Sequence, residues 1–495
     1  MKMPARFSKT LTSVALLGTL TLAGCSAGSQ ASNSSLSVSI SGSSASATAV
    51  ATASGSTVAS IISYDTHYDT DDLSWDASTE VSIDLSNPTA TEGVSVENGV
   101  ISITAAGNYR LTGTLEDGQV LVAAGEEDVV RLILNGASIS NKDGAAINAQ
   151  SANETIIYTA AGSSNSVTDG SSYAATGTED PDAALYAKTD LTLAGEGSLT
   201  VTGNYGDGIA SGDGLTIAGG SITVTAADDG IKGKDYLDIL GGSIDVTATA
   251  DGMKATNDTD AERGWVRLLE GEIKISAGDD GFKSERELEI AGGSLTIEES
   301  VEAIEGQYLT ISGGSTQATS SDDGINATIP STTSSTSAGG MNQVVDAWIS
   351  ISGGELTLNV EGDGVDSNGT AAISGGTVIV NGPSTGGNGA TDATGGLTVT
   401  GGTLIQGDSG SMFEGMEGAY ARFSASVSAG DTVTVTDASG QVVAEYTSSK
   451  NIVQVVVAGS SITEGENYSI SVNGSEAGSA TASSGAAAGG FGGRP

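Results

Sequence analysis

The 495-residue chain carries 61 Asp and Glu against 18 Lys and Arg, a formal net charge of −43, which excludes nucleic acid as a partner because phosphates must be met by a basic surface. One cysteine excludes a disulfide framework, and one histidine, His67, leaves a zinc centre or a Ser-His-Asp triad unsupported. With 72 glycines and only 6 prolines, collagen is excluded and short extended segments joined by tight turns are expected.

In chain order, Lys2, Arg6 and Lys9 precede an apolar run from Leu11 to Leu22, and Leu22-Ala23-Gly24-Cys25 follows as a lipobox. Residues 1–24 therefore read as a lipoprotein signal peptide, with Cys25 as the lipidated first residue of an exported bacterial lipoprotein held on the membrane and facing outside. The apolar run is short for crossing a bilayer. Residues 25–60 are almost entirely Ser, Ala, Thr and Gly and read as a tether. Residues 61–190 hold strand-like runs with a loose rhythm, such as Val129 to Leu134 and Thr155 to Tyr158, and are expected to form an N-terminal cap and first coils.

Residues 191–412 are repetitive. The pattern apolar-x-apolar-x-Gly-Gly begins at Leu215, Leu237, Val266 (with Glu for the first Gly), Leu288, Leu309 and Ile349, with weaker copies at Leu191, Ala371 and Leu397. The base period is about 22 residues, lengthened by insertions at Asn257 to Gly264 and roughly Ala327 to Asp346. Each Gly-Gly is followed by a second alternating stretch, as in Ile222-Thr-Val-Thr, an acidic turn, and a third apolar step, as in Gly230-Ile231-Lys232. Period-2 alternation means half-buried strands, and three short strands per repeat make one coil of an all-β parallel β-helix, a solenoid. A propeller blade would need about twice the period. From Phe413 to residue 474 the rhythm changes to hairpins, as in Asp431-Thr-Val-Thr-Val-Thr, read as a small C-terminal β module that closes the solenoid's open edge; residues 475–495 read as a Gly/Ala-rich tail.

The chief chemical pattern is an acidic column. The turn after the second strand places Asp207, Asp229, Asp251, Asp280, Glu302, Asp323 and Asp363 at one equivalent position, with a second acid at Asp228, Asp279 or Asp322. Coils lie about 4.8 Å apart, so these carboxylates form a ladder whose like charges need compensation. Lys232, Lys254 and Lys283, each two residues past the turn glycine, offer one compensation. Calcium, which takes 6–8 oxygens, offers the other. Rungs Glu302, Asp323 and Asp363 carry Glu305, Asn326 and Asp366 where the lysine would be, and need metal most. Asp-Gly is also ordinary turn chemistry, which accounts for part of the pattern but not for the doubled acids.

A second column, immediately before the first strand of each coil, is Tyr236, Trp265, Glu287, Tyr308 and Trp348. It should point outward, and the four rings could stack on pyranose faces as a carbohydrate-binding platform or pack beneath the insertions. Catalysis is less supported. Lys254 and Lys283 are the candidate bases for a calcium-dependent uronate lyase, yet both lie beside acids that raise a lysine pKa. Arg267 should sit between Asp238 and Glu289 on adjacent rungs.

The lipobox, the Gly-Gly coils, Asn204-Tyr-Gly-Asp-Gly-Ile, Asp228-Asp-Gly-Ile-Lys-Gly-Lys-Asp and the C-terminal module resemble carbohydrate-binding lipoproteins of cellulolytic clostridia over roughly residues 65–475. The resemblance implies a pectate-lyase-like right-handed β-helix binding calcium, cellulose and polygalacturonate. The expectation is a monomeric, lipid-anchored polysaccharide-binding protein; a calcium-dependent pectate lyase and an adhesin or surface stalk are the alternatives.

Overall fold

The computed structural model describes residues 50–53, 56–59, 63–174, 177, 181–329 and 343–486; the signal segment, Cys25 and the tip of the second insertion lie outside the described residues. Within the Ser/Ala-rich segment, Val50–Ala53 pairs antiparallel with Ser56–Ala59. The rest is a long β-solenoid whose only helical pieces, among the described residues, are two single turns, Thr70–Leu73 and Ala77–Thr79.

Three ladders of parallel strands run its length. In the first, Leu215, Leu237, Val266, Leu288, Leu309 and Ile349 are successive register partners, which is the alignment the Gly-Gly pattern dictates. The second stacks Ile222, Ile244, Ile273, Leu295, Thr316 and Leu356. The third is a 13-stranded sheet of short segments running from Val94–Glu97 to Thr391–Ala393, parallel apart from the hairpin of Val94–Glu97 with Val100–Ile103 at its start. Inward residues from all three form one continuous apolar core from Ile83 to Ala458. Repetition thus buries apolar surface coil against coil, the source of stability in a solenoid.

The turn glycines are constrained by this stacking. A Cβ at Gly230 would lie 2.3 Å from Val246 Cγ1 and 2.4 Å from the Gly252 carbonyl oxygen, so the acidic turn must be followed by glycine for the next coil to close over it.

At the far end, Ile452–Gly459 pairs antiparallel with the last coil strand, Thr403–Asp408, and with Gly415–Val427, which covers a free strand edge. A separate core around Phe423, Val433, Tyr446 and Ile470 supports this module. Its boundary differs from the expected one. Ser475–Thr481 pairs with Asn467–Val472, and Ser483–Ala486 with Gly415–Val427, so the first part of the supposed tail belongs to the module. Backbone pairing needs no large side chains, which is why composition hid it.

At the near end, Ser63–Thr79 lies along the first ladder before entering the first coil. Tyr64 sets its edge on Trp265, with ring centroids 4.9 Å apart. His67 Nδ1 lies 2.6 Å from Asp190 Oδ2, and Trp75 packs edge-on against Tyr158 at 4.9 Å. The segment therefore acts as an external strap that crosses several coils.

Candidate functional site

The acidic turns stack as a ladder. Oδ1 of Asp207 accepts the backbone N–H of Asp229 at 3.1 Å, Asp229 accepts that of Asp251 at 3.2 Å, and Asp251 that of Asp280 at 3.0 Å. Each carboxylate thus uses one oxygen to tie its coil to the next. The same bond recurs from Asp323 Oδ1 to Asp363 N at 2.6 Å, and from Asp363 Oδ1 to Gly389 N at 2.5 Å. Ordinary turn chemistry explains this half of the carboxylate.

The other oxygen faces the neighbouring column on the third sheet, where register stacks Ala210, Lys232, Lys254, Lys283, Glu305, Asn326, Asp366 and Asp392 in line. The sign of this column changes along the solenoid. Lys232 pairs with Asp207, Lys254 with Asp229 at 2.6 Å and Asp251 at 2.9 Å, and Lys283 with Asp280 and with Glu305 at 2.9 Å. Burial opposes the charge of these lysines, but the adjoining carboxylates outweigh it and hold all three above the usual lysine range.

Past Lys283 no lysine follows in the column. Burial, and then the neighbouring carboxylates, push Asp366 up to about 8, with Asp323, Asp363, Asp392 and Glu302 all adding to the rise. Glu302 is pushed up to about 7 by burial, with Asp280 and Asp323 adding, and Asp323 and Asp363 to about 6, again chiefly by burial. Asn326 sits among them, 9% exposed. Its Nδ2 donates to Glu302 Oε2 at 2.9 Å, while its Oδ1 is buried with no hydrogen-bond partner. An oxygen buried among carboxylates with no donor has an unmet demand for positive charge.

Three groups bring carboxylate oxygens within 4.8 Å of one another: Asp207 with Asp228 and Asp229, Asp251 with Asp279 and Asp280, and Asp280 with Glu302 and Glu305. These contain seven of the ten acids expected to hold metal. Asp322, Asp323 and Asp363 do not fall into such a group, and Asp322 is exposed. Glu305, Asn326 and Asp366, already marked by their place three residues past a ladder acid, are joined by Asp392, which the register adds to the column although Gly389 stands at its rung's turn position. All the donors are hard oxygens, the set that suits calcium better than zinc or copper.

The aromatic column requires correction. Tyr236, Trp265, Tyr308 and Trp348 do stack, Tyr236 on Trp265 at 4.8 Å and 11°, Tyr308 near Trp348 at 5.5 Å. They are only 2%, 0%, 6% and 8% exposed, so they present no open platform to a sugar. The position points out of the coil, as the alternation requires, but the strap lies over it: the Tyr236 hydroxyl donates to Asp190 Oδ1 at 3.2 Å and accepts the His67 N–H at 3.1 Å. The Tyr308 hydroxyl is bound to Asp346 Oδ2 at 3.0 Å. Arg267 makes two bonds to Asp238, at 2.8 and 2.7 Å, and lies 4.6 Å over the Tyr64 ring, a packing role rather than a catalytic one.

A family model described as "Carbohydrate-binding domain-containing protein" matches residues 97–386. A protein of that same description from Acetivibrio thermocellus is 44% identical over 216 residues, which is 43% of this chain and 76% of the relative. A solved structure described as "Structure of the polysaccharide lyase-like protein from C. thermocellum, Gadolinium derivative" is 33% identical, covering 50% of this chain and 96% of that one, with a TM-score of 0.43. The match spans more than half of the sequence and most of the solenoid, and the chain belongs to the family of carbohydrate-binding domain-containing proteins.

Proposed function

We propose that the chain is an exported, lipid-anchored polysaccharide-binding protein whose right-handed solenoid holds calcium in its acidic turns and uses it to bind plant cell-wall glycans, polygalacturonate and cellulose among them. The right hand is the one that right-twisted strands favour in parallel crossovers. Family membership supports the carbohydrate, and the lipobox at Cys25 supports the anchor.

The observation that carries the metal is Asn326 Oδ1, buried without a donor beside Glu302, Glu305 and Asp366. A divalent cation there would satisfy the amide oxygen and several carboxylates at once. Such an ion also reconciles a strongly acidic protein with an acidic polymer, because it can accept uronate oxygens where bare carboxylates repel them. Binding is favoured over lyase chemistry because Lys254 and Lys283, the candidate bases, are ion-paired and held protonated.

Electrophoretic retardation in gels containing polygalacturonate, run with millimolar calcium and with excess EDTA, tests the reading. Retardation in calcium that vanishes in EDTA while circular dichroism shows the protein still folded is the expected result. Equal mobility in the presence and absence of the polymer under both conditions sinks calcium-assisted uronate binding.

A further inference from the structure

With the stacked aromatics buried, a sugar must be met elsewhere. A cleft of about 770 Å³ at the solenoid's end is lined by residues between Thr391 and Gly485, wholly outside the family-matched span of 97–386. A cleft of about 400 Å³ on the first coils is lined by residues between Asn98 and Pro181, wholly inside that span. Its size falls in the range of small-ligand sites.

The lining is polar and already held in place. Gln119 Nε2 and Asn141 Nδ2 both donate to the Ala145 carbonyl at 2.8 Å. Asn148 stands on the outer face of the third sheet between Leu121 and Tyr186, and its Oδ1 accepts Gln150 Nε2 at 2.5 Å, which leaves the Nδ2 hydrogens for a ligand. Tyr173 forms part of the wall, its hydroxyl 2.9 Å from both Asp169 Oδ2 and the Ala183 carbonyl. Tyr205 stacks on Tyr173 at 4.2 Å and 18° and is 38% exposed, the one exposed large aromatic among the described residues. Amides fixed by backbone bonds next to a supported, accessible ring are the two ingredients of sugar recognition: directional bonds for hydroxyls and a flat face for C–H groups.

We propose that this cleft is a neutral-glycan subsite, with Asn148, Gln119 and Asn141 facing hydroxyls, Tyr173 in its wall, and Tyr205, stacked on Tyr173 beyond the lining, as the exposed ring that a longer glycan reaches. The inference rests on the polysaccharide-binding reading and locates it. Charge selects the ligand class. Asp117 and Asp143 line the cleft, no described lining residue is cationic, and the adjoining Lys142 holds Asp117 at 3.0 Å, so a uronate would meet carboxylates. Binding here needs no metal, because a neutral glycan brings no charge for a cation to bridge.

Calorimetric titration of the full chain in EDTA with neutral hexasaccharides of the cello, xylo and manno series tests this. At least one should bind. Tyr205→Ala should weaken it roughly 3- to 10-fold, the range of an aromatic stacking contact, and Asn148→Ala should weaken it as well. Gly144→Tyr is an independent probe: a Cβ at Gly144 meets only Asn141 Nδ2, at 3.4 Å, so a large side chain can fill the cleft without disturbing the coil, and binding should be lost. Unchanged affinity in Tyr205→Ala and Gly144→Tyr proteins with parental melting temperatures overturns the proposal. Failure of the parent to bind any neutral hexasaccharide, with calcium-dependent retention on polygalacturonate intact, also overturns it while leaving the broader reading in place. Only loss of both activities in the parent counts against that reading.

Discussion

Replacing Asp366 by Asn should move stability in opposite directions with and without calcium. The Asp366 carboxyl is raised from 3.8 to about 8, first by burial and then by Asp323, Asp363, Asp392 and Glu302. In metal-free protein near pH 7.5 the whole shift would amount to about 5 kcal/mol at about 1.4 kcal/mol per pKa unit; halved for solvent reaching the site, about 2–3 kcal/mol remains. An uncharged amide of the same shape removes that penalty, so the variant should melt higher than the parent in EDTA, by several degrees at about 1–3 °C per kcal/mol for a chain of this size. Calcium reverses the order. An ion held only by the folded state adds about 2.7 kcal/mol when its concentration is a hundred times its dissociation constant, and the variant loses most of that increment with the ligand. Differential scanning calorimetry of both proteins in EDTA and in millimolar calcium reads all four values. A variant that melts lower than the parent in EDTA, or that keeps the parent's full calcium increment, refutes the placement of the ion beside Asn326 and Asp366.

Glu154, buried and pushed up to about 7 by that burial, with Asp72 and Asp190 adding and Thr192 and Arg131 opposing, supplies a pH test away from the ladder. Its folded pKa lies above the unfolded one, so its contribution is fully present below about 4.5 and is lost as pH rises through 7; Glu154→Gln should flatten the fall in melting temperature between pH 5 and 8, and an unchanged slope would exclude Glu154 as its source. Lys283→Met strips the cation from Asp280 and Glu305, and should destabilise the EDTA form by about 3–5 kcal/mol, the usual result of leaving one partner of a buried pair, while enlarging the calcium-induced rise in melting temperature; a calorimetric increment no larger than the parent's would show that lysine and calcium do not compete there. Trp265→Ala should cost about 3–5 kcal/mol of stability as a buried ring is lost, and in variants still folded at low temperature should leave oligosaccharide affinity unchanged.

What the sequence made legible was whatever repeats. Leu215 to Ile349 fall into register as aligned because an alternating strand shifted by one residue would turn its apolar set outward, and the Asp-Gly turns stack because the next coil leaves room only for glycine. The lysine pairs followed from the same periodicity. Contacts without a period stayed hidden: Tyr64 on Trp265 joins residues some two hundred positions apart through a strap with no repeat, and a column assigned to the outer face could therefore be read either as a sugar platform or as packing. The cleft was missed for a related reason, since Asn98, Gln119, Asn148 and Tyr173 come from four different turns or strands of the irregular first coils. Asn326 needed atomic detail, because a polar residue in a column of charges becomes informative only when its amide oxygen is seen to lack a donor. The column itself carries the last step. Lys232, Lys254, Lys283, Glu305, Asn326, Asp366 and Asp392 hold equivalent positions, so the architecture accepts either sign there, and a lysine at a later rung would offset its acids as the first three do. That the later rungs instead gather buried acids around an unsatisfied oxygen is a departure from what the coil alone favours, and departures of this kind point to a bound cation more strongly than the length of the acidic ladder does.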